Sequence, residues 1–226
     1  TTLFRLYLDA LEGSEDEESE RFVNALTTNL TSFFREEHHF PIFAERLRHI
    51  GTQRPIKIWC SAASTGEEPY SIAMTVLETF GKQASHVSIV ASDLDTNVLA
   101  TAQRGVYSMD RVEKMSAERL KRFFFKGTGT QEGYVRVRPE LQEMIEFRRV
   151  NLLEASWPIP SPLDVIFCRN VMIYFDKPTQ YKILSRFAPM MRPEGLMFAG
   201  HSESFLHASD LFKSQGKTVY ALTPPR

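Results

Sequence analysis

The sequence has few of the residues that build disulfide-linked, zinc-binding or membrane-spanning proteins. Only two of its 226 residues are cysteines, Cys60 and Cys168, and both lie inside apolar runs. This usage is typical of buried, reduced thiols and argues against a disulfide framework or a zinc site. No apolar run of about eighteen residues occurs, and no basic segment followed by an apolar one opens the chain. We therefore expect a cytoplasmic protein with neither a membrane span, a secretory signal nor a bound metal.

A large excess of charge of one sign is also missing. The formal net charge is −1, which argues against a general nucleic-acid-binding protein. Residues 1–20 nevertheless contain seven acids and one arginine, whereas residues 104–126 contain seven bases and three acids. The acidic run is typical of a solvated linker or cap. Because the first residue is threonine, we expect the chain to begin inside a longer natural protein.

The chain does contain a helical start followed by alternating strands and helices. Apolar positions at helical spacing predict an N-terminal helical domain and linker over residues 1–50. Residues 51–226 predict an α/β domain with a mostly parallel sheet and crossover helices on both faces. The predicted strands are 56–60, 87–91, 163–170 and 195–200, and the predicted helices are 69–80, 96–103 and 177–190.

A different pattern separates the two halves of the α/β domain. Residues 105–150 contain a glycine-rich turn and two alternating segments, "YVRVR" and "MIEFRRV". Alternation of this kind predicts strands, and we interpret the region as an antiparallel β-subdomain inserted at about 122–149.

Polar segments follow three of the predicted strands, at the sheet edge where an open α/β sheet binds its ligands. They are "AASTGEE", "SDLD" and "CRNVMIYF". Asp93, at the end of the second strand, can accept hydrogen bonds from both ribose hydroxyls of an adenosine. The alternative is that Asp93 caps the next helix, although Asp95 and Thr96 are equally placed to do so.

The first of these segments has the layout of a nucleotide-binding turn and the wrong charge for phosphate. It contains one glycine, Gly66, and neither a Gly-x-Gly-x-x-Gly nor a Gly-Lys-Ser/Thr pattern. Glu67 and Glu68 occupy the helix start where a phosphate would bind, and they would attract a cation instead. S-adenosylmethionine, with a sulfonium, an ammonium and no phosphate, fits such a loop. Alternatively, both are ordinary first-turn acids, and which of them would contact a cofactor stays open.

Seven segments, in order across residues 26–205, resemble the CheR family, the methyltransferases of bacterial chemotaxis receptors. They are "LTTNLTSFFRE", "AASTGEEPYSIA", "ASDLD", "GTGTQEGYVRVR", "VNLLE", "FCRNVMIYF" and "FAGHSESF". The resemblance implies an N-terminal helical domain followed by a Rossmann-like, class I S-adenosylmethionine-dependent methyltransferase domain with a small β-subdomain. It also implies methyl transfer to receptor glutamates, which yields γ-methyl esters and S-adenosylhomocysteine.

The resemblance also implies a set of site residues. The implied cofactor-binding residues are Asn29, Thr31, Arg35, Ala62, Glu68, Asp93, Asn151, Leu152, Arg169 and Asn170. Arg35 and Tyr174 are the implied catalytic residues: a guanidinium can hold a carboxylate through two hydrogen bonds, and Tyr174 falls beside the transferred methyl group. A glutamate carboxylate is already a nucleophile at neutral pH, so no catalytic triad is required.

The implied partner is the acidic helical bundle of a chemotaxis receptor, and we expect a monomer that binds neither nucleic acid nor a membrane. Basic residues should then surround the mouth of the site, and the helical module offers Arg21, Arg35, Arg46, Arg48 and Arg54. The β-subdomain resembles those that add a C-terminal receptor peptide as an extra strand, and whether this chain does so stays open.

Two other functions fit the same sequence. A methyltransferase for nucleic acids or small molecules would have similar cofactor loops, although the Asn/Asp-Pro-Pro-Tyr motif of amino-methylating enzymes is missing. A catalytically silent module that binds S-adenosylmethionine and a receptor is the second, and Arg35 with Tyr174 argues against it.

The adjacent His38 and His39 cannot share a helical face, so we expect no metal there. We expect His201 to act as a hydrogen-bonding loop residue.

Overall fold

The computed structural model describes Asn24 and residues 30–224, and most of the predicted N-terminal domain lies outside this part of the chain. The described helices are α1 His39–Ile50, α2 Glu67–Phe80, α3 Thr96–Arg104, α4 Ala117–Phe123, α5 Pro139–Gln142 and α6 Lys177–Phe187. The strands are β1 Ile56–Cys60, β2 Val87–Asp93, β3 Val106–Ser108, β4 Phe124–Lys126, β5 Tyr134–Val137, β6 Ile145–Arg149, β7 Leu163–Cys168, β8 Met191–Ala199, β9 Phe212–Gly216 and β10 Val219–Leu222. None of the described helices is long and apolar enough to span a bilayer.

Seven of the strands form one sheet with the order β6-β2-β1-β7-β8-β10-β9. The neighbours from β6 to β8 pair in parallel, and β10 pairs antiparallel with both β8 and β9. The predicted, mostly parallel α/β sheet is therefore confirmed. The strand order reverses between β1 and β7, and the carboxyl ends of strands at such a reversal flank a crevice that binds ligands.

Both faces of this sheet are covered by helices, as predicted. Successive side chains of β1 reach opposite faces, as strand geometry requires. Ile58 and Cys60 join one apolar cluster together with residues of α1 and α2. Trp59 joins the other cluster together with residues of α6. Cys60 and Cys168 are free, buried thiols in opposite clusters.

Helix α1 packs directly on the sheet, although the sequence assigns it to the N-terminal domain. The Phe43 and Leu47 side chains are fully buried. The Phe43 ring meets Phe167 of β7 edge-on, with 5.2 Å between ring centroids, and Phe167 stacks on Phe198 of β8 at 4.6 Å. The division of the chain between residues 50 and 51 therefore crosses a shared core and stays a proposal about domain organisation.

A second sheet of three antiparallel strands has the order β3-β5-β4 and corresponds to the predicted β-subdomain. It begins with Val106, earlier in the chain than we expected. The segment "MIEFRRV" does not belong to it, because β6 pairs in parallel with β2 at the edge of the large sheet. Our interpretation of this segment was wrong because alternation indicates a strand with one covered face, whichever sheet that strand joins.

Several element boundaries differ from the predicted ones, and one of these differences bears on the site. Strand β7 ends at Cys168 rather than at residue 170, so Arg169 and Asn170 begin the following loop. Strand β8 begins at Met191 rather than at residue 195.

The stacked ring of Phe167 should carry a large share of core stability. We expect Phe167→Ala to lower the free energy of unfolding by about 3–5 kcal/mol, because it removes buried apolar surface and leaves a cavity. Leu206→Ala is the matched control: this side chain is 82% exposed, so its loss should cost less than about 0.5 kcal/mol. Urea unfolding curves measure both. Equal losses in the two variants would contradict this account of the core.

Candidate functional site

A cavity of about 420 Å³ opens at the carboxyl edge of the large sheet. Its lining comes from the segment before α1, from the loops that follow β1, β2 and β7, and from the segment after β6. All predicted site residues within the described part of the chain line it: Thr31, Arg35, Ala62, Glu68, Asp93, Asn151, Leu152, Arg169, Asn170 and Tyr174. Asn29 lies outside the described residues. The roles of these residues stay predictions, whereas their convergence on one cavity is a property of the fold.

Asp93 ends β2 with its carboxylate in the cavity wall. Its Oδ2 accepts a hydrogen bond from the Ser64 N–H at 2.8 Å, and its Oδ1 accepts one from the Asp95 N–H at 3.1 Å. Burial raises the pKa of this carboxyl, and the backbone donors oppose that shift. Each oxygen has a second lone pair, so the carboxylate can still accept from two ligand hydroxyls.

Asp95, not Asp93, caps helix α3. One oxygen of the Asp95 side chain accepts hydrogen bonds from the N–H groups of Asn97 and Val98, at 2.9 and 3.2 Å. The capping alternative for Asp93 is therefore wrong. The Asp93 carboxylate is left facing the cavity, bonded to one N–H of its own loop and to one N–H of the loop after β1.

The two glutamates at the start of α2 face different surroundings. Glu67 is fully buried and accepts hydrogen bonds from the Thr65 hydroxyl, at 2.7 Å, and from the Arg111 guanidinium. Glu68 lines the cavity, and its carboxylate accepts from Arg169 Nη1 at 2.7 Å. Only Glu68 can therefore meet a ligand there. The sequence argument treated both carboxylates as free to attract a cation, whereas each is paired with an arginine.

Arg169 connects three segments of the cavity wall. Its side chain is fully buried, lies 3.5 Å from the Glu36 carboxylate, and donates to the Arg35 carbonyl as well as to Glu68. Its Nε–H has no acceptor among the described residues. Burial raises the pKa of the Glu68 carboxyl, and the charge of Arg169 opposes this shift. Two ionised carboxylates around one guanidinium would leave a net charge of −1 beside the cavity.

Glu36 borders this cluster although the sequence analysis did not select it. Burial disfavours its ionised form, but hydrogen bonds from the His201 N–H and ring, together with the charge of Arg169, lower its pKa to about 2. The N–H of His201 donates to Glu36 Oε1 at 3.0 Å, and the ring Nδ1 lies 3.1 Å from the same atom. His201 therefore acts as a hydrogen-bonding loop residue, as expected.

Strained backbone surrounds the cavity. Six described residues other than glycine have φ in the left-handed region, and four of them lie in segments that line the cavity: Phe34 (52°), Glu36 (55°), Ser64 (48°) and Asn170 (58°). Such conformations cost on the order of 1–3 kcal/mol each for ordinary residues, so the surrounding structure must hold them. They cluster where side-chain positions matter most.

Contacts of Arg35 and of the two residues before it show what holds this segment. The N–H of Phe34 donates to the Ser71 hydroxyl at 2.9 Å, and the Arg119 guanidinium lies 4.0 Å from the centroid of the Phe34 ring. Phe33 packs edge-on against Tyr107 of the small sheet, with 5.0 Å between centroids. Arg35 itself donates to the Leu30 carbonyl at 2.7 Å.

The predicted basic surface does not surround the cavity. Arg54 pairs with Asp164 at 2.6 Å and with Glu194 at 3.3 Å. The same two acids interact electrostatically with Arg46. Asp164 lies near the start of β7, at the opposite edge of the sheet from the cavity. Four arginines of the predicted basic surface lie in the described part of the chain: Arg35, Arg46, Arg48 and Arg54. Of these four, Arg35 alone lines the cavity. The charge count missed this because it cannot show which acids neutralise which bases.

His39 and its neighbours form a polar cluster behind the cavity. The Nε2 atom of this buried ring lies 2.9 Å from the Lys217 carbonyl oxygen, and burial with the nearby Arg169 charge lowers the His39 pKa to about 4. Glu36, His38 and His39 each bring one potential ligand atom within 4.8 Å of the others. The sequence argument that the two histidines diverge is therefore wrong, because His38 precedes the helix. The Arg169 guanidinium, 3.5 Å from Glu36, opposes a second cation there.

The cavity suits a ligand with charges of both signs and an apolar ring. Two acids, Glu68 and Asp93, and two arginines, Arg35 and Arg169, contribute to its lining. Apolar side chains form a further part of the wall, among them Leu94, Val150, Leu152, Val171 and Phe175. S-adenosylmethionine combines an ammonium, a carboxylate, a sulfonium and a flat adenine, so the residues present fit it.

The sheet order, the acid at the end of β2 and a cavity free of phosphate-binding patterns define a nucleoside-binding α/β domain that suits a methyl donor. The family model described as CheR methyltransferase, SAM binding domain, matches residues 29–221. This chain belongs to the CheR methyltransferase family, and its cofactor is S-adenosylmethionine. The family resemblance seen in the sequence is thereby confirmed.

Curated relatives support the same assignment. "Chemotaxis protein methyltransferase 2" of Pseudomonas aeruginosa is 58% identical over 92% of this chain and 74% of its own length. "Chemotaxis protein methyltransferase" of Salmonella typhimurium is 51% identical over 97% of this chain and 76% of its own length. The Escherichia coli protein of the same name is 49% identical over 98% of this chain and 77% of its own length.

The buried His39 should make folding pH-dependent. Its pKa lies near 4 in the fold against 6.5 for an ordinary histidine, so the unfolded chain binds a proton that the folded chain excludes. This contribution to stability is fully present above pH 6.5 and shrinks as the pH falls towards 4. We expect the difference in unfolding free energy between the wild type and His39→Gln to fall between about pH 7 and pH 5. Urea titrations at both pH values measure it, and a difference independent of pH would contradict the assignment.

Proposed function

We propose that this chain transfers a methyl group from S-adenosylmethionine to glutamate side chains of bacterial chemotaxis receptors, forming γ-methyl esters. One observation carries the proposal: a single cavity brings together Asp93, the Glu68–Arg169 pair, Arg35 and Tyr174. The names of the relatives point to the same class of substrate. The product left in the cavity would be S-adenosylhomocysteine.

The chemistry asks the protein for alignment rather than for a base. S-adenosylmethionine supplies a methyl group on a positively charged sulfur, and the glutamate carboxylate attacks that carbon as it stands. The chain must hold the carboxylate in line with the methyl group and exclude water, and orientation of this kind can supply roughly 7–11 kcal/mol in favourable cases. No described residue needs to remove a proton from the nucleophile.

We assign the cofactor-binding roles from the charge of each side chain and from its position in the cavity wall. Asp93 would accept hydrogen bonds from the ribose hydroxyls, since each of its oxygens has one lone pair beyond its bond to the loop. The cluster of Glu68, Glu36 and Arg169 would favour the ammonium through its net negative charge. The remaining members of the proposed set are Asn29, Thr31, Arg35, Ala62, Asn151, Leu152 and Asn170.

Arg35 and Tyr174 would receive the substrate. The Arg35 guanidinium can present a planar fork of donors to a carboxylate. Tyr174 lies on the loop after β7, is 58% exposed, and would orient one substrate oxygen through its hydroxyl. Leu30, Leu153 and Ile173 are also exposed apolar side chains in this region, so the mouth offers apolar surface to a receptor helix.

Further parts of the proposal concern the setting of the reaction. We propose that the chain acts as a monomer in the cytoplasm, with residues 51–226 as the methyltransferase domain. The small sheet has two edge strands, β3 and β4, to which an extended receptor peptide can add through main-chain hydrogen bonds. Exposed Phe125 and Tyr134 would supply side-chain contacts to such a peptide.

Removal of the Asp93 carboxylate should weaken cofactor binding. We expect Asp93→Ala to raise the dissociation constant for S-adenosylhomocysteine about 10- to 100-fold, the range expected when a charged hydrogen-bond acceptor is lost. Asp210→Ala is the control, because this exposed carboxylate only accepts from the Tyr181 hydroxyl at the surface. Isothermal titration calorimetry measures both variants. Wild-type affinity in Asp93→Ala would exclude the ribose contact.

Replacement of the guanidinium at Arg35 should impair methyl transfer to the receptor. We expect Arg35→Lys to lower kcat/KM for a receptor fragment about 10- to 100-fold, because an ammonium cannot hold a carboxylate through two parallel hydrogen bonds. Arg104→Lys is the control, since Arg104 contacts Thr101 on the surface of α3. Methyl esters are counted as methanol released by base. A base-stable methylated product would instead favour N-methylation and contradict the proposed function.

A further inference from the structure

The turn after β8 contains a buried carboxylate that has no place in the cofactor contacts assigned above. Glu203 is 4% exposed and accepts hydrogen bonds from four backbone N–H groups. Its Oε1 accepts from Val171 at 3.0 Å and from Met172 at 2.7 Å. Its Oε2 accepts from Asn170 at 3.0 Å and from Gly200 at 2.5 Å. Among the described residues, no arginine, lysine or histidine forms an ion pair with it.

The four backbone hydrogen bonds to Glu203 show that the site requires a carboxylate group. Four acceptor positions on two oxygens are available only from an ionised carboxylate. A glutamine would place an amide NH2 against two backbone N–H groups and lose their bonds. The four backbone dipoles also replace the cation that a buried charge usually needs. The site is therefore built for a glutamate and not merely for a polar side chain of that size.

Most of the donors belong to the loop that carries the proposed catalytic tyrosine. Three of them, Asn170, Val171 and Met172, are consecutive and start directly after Arg169. Asn170 has φ 58°, a left-handed conformation that an unrestrained asparagine adopts only in a minority of cases. Tyr174 follows within the same turn of 3-10 helix, Met172–Tyr174. Three bonds from one carboxylate thus fix the backbone that leads to Tyr174.

The turn after β8, residues 200–203, also contacts the segment before α1, which forms another wall of the cavity. His201 donates its N–H to Glu36, the residue next to Arg35, at 3.0 Å. A Cβ added at Gly200 would lie 2.4 Å from Asn170 Nδ2, so the turn and the loop are packed without space between them. Residues 200–203 therefore set the positions of both segments that would hold the substrate carboxylate.

We propose that Glu203 is a positioning residue for methyl transfer, holding the 170–174 loop so that Asn170 and Tyr174 face the cofactor and the substrate. This inference rests on the proposed function, because its catalytic consequence requires that these two residues act as assigned. The direct contact of Glu203 is with backbone N–H groups only. A role limited to stability is the competing explanation.

Asp164 provides a matched control for that competing explanation. It is also fully buried, lies on β7, the strand that precedes the 170–174 loop, and accepts a backbone hydrogen bond from the Lys57 N–H at 2.9 Å. It lies near the amino end of β7, whereas the cavity lies at the carboxyl ends of the strands. Asp164→Asn should therefore cost stability without moving the loop that follows β7.

The experiment compares Glu203→Gln, Glu203→Asp and Asp164→Asn with the wild type, at a temperature where urea curves show each protein folded. Amide hydrogen exchange at Asn170, Val171, Met172 and Gly200 tests the contact itself. Calorimetry with S-adenosylhomocysteine and steady-state methylation of a receptor fragment test its consequence. Glu203→Asp keeps the charge on a shorter side chain, so it decides the question if Glu203→Gln does not fold.

We expect faster exchange at these four amides in both Glu203 variants, unchanged protection within β7 and β8, and a fall in kcat of at least about tenfold, as small misplacements near reacting atoms produce. Asp164→Asn should keep kcat within about twofold of the wild type. Unchanged exchange, a wild-type kcat in a folded Glu203 variant, or equal losses of kcat in Asp164→Asn would overturn the inference. A wild-type protein that binds S-adenosylhomocysteine and methylates no receptor would instead refute the proposed function, whereas the exchange data would still report on the loop.

Discussion

The cavity depends on one buried guanidinium. Arg169 stands at the end of β7, holds Glu68 at the start of α2, and approaches Glu36 in the segment before α1. A charge removed from water is tolerated only when it is paired and hydrogen-bonded, so these three segments are fixed relative to one another by the requirement to neutralise it. Loss of a single partner would leave an uncompensated charge in the interior. The position of Arg35 follows from this, because its carbonyl is a further acceptor for Arg169.

The strained backbone around the cavity has the same origin. Phe34, Glu36, Ser64 and Asn170 adopt left-handed conformations that their neighbours must stabilise. Two of these neighbours are carboxylates that accept backbone N–H groups: Asp93 binds the Ser64 N–H, and Glu203 binds the Asn170 N–H. Buried acids thus serve this protein twice, as partners of arginine and as acceptors for strained loops. Both uses fix side chains in place before any ligand arrives.

Much of the fold could be predicted from the sequence, because strands and helices leave local patterns. The parallel core, the helices on both faces and the position of Asp93 at a strand end all follow from apolar runs and their ends. The family motifs placed ten described residues around one cavity. The assignment of β6 failed because a local pattern of alternation contains no information about which neighbour the strand pairs with.

The missed features all depend on contacts between distant segments. Glu203 meets the Asn170 loop across 33 residues, and Arg169 meets Glu68 across 101. The pairing of Arg54 with Asp164 likewise appears only once the chain is folded. Two clues were available for Glu203: it follows a parallel strand, on the edge where ligands bind, and it lies in the family segment "FAGHSESF". Composition could count the acids, but could not distinguish a partner for arginine from an acceptor for backbone.

The placement of the two cysteines has a practical consequence. Burial raises the pKa of both thiols, so neither Cys60 nor Cys168 forms appreciable thiolate at neutral pH. They extend from β1 and β7 into opposite clusters, which prevents them from joining to each other. Alkylating reagents and mild oxidants can therefore reach them only after the central sheet has separated from its helices. The rate at which a thiol reagent labels this protein therefore measures the rate at which its core opens.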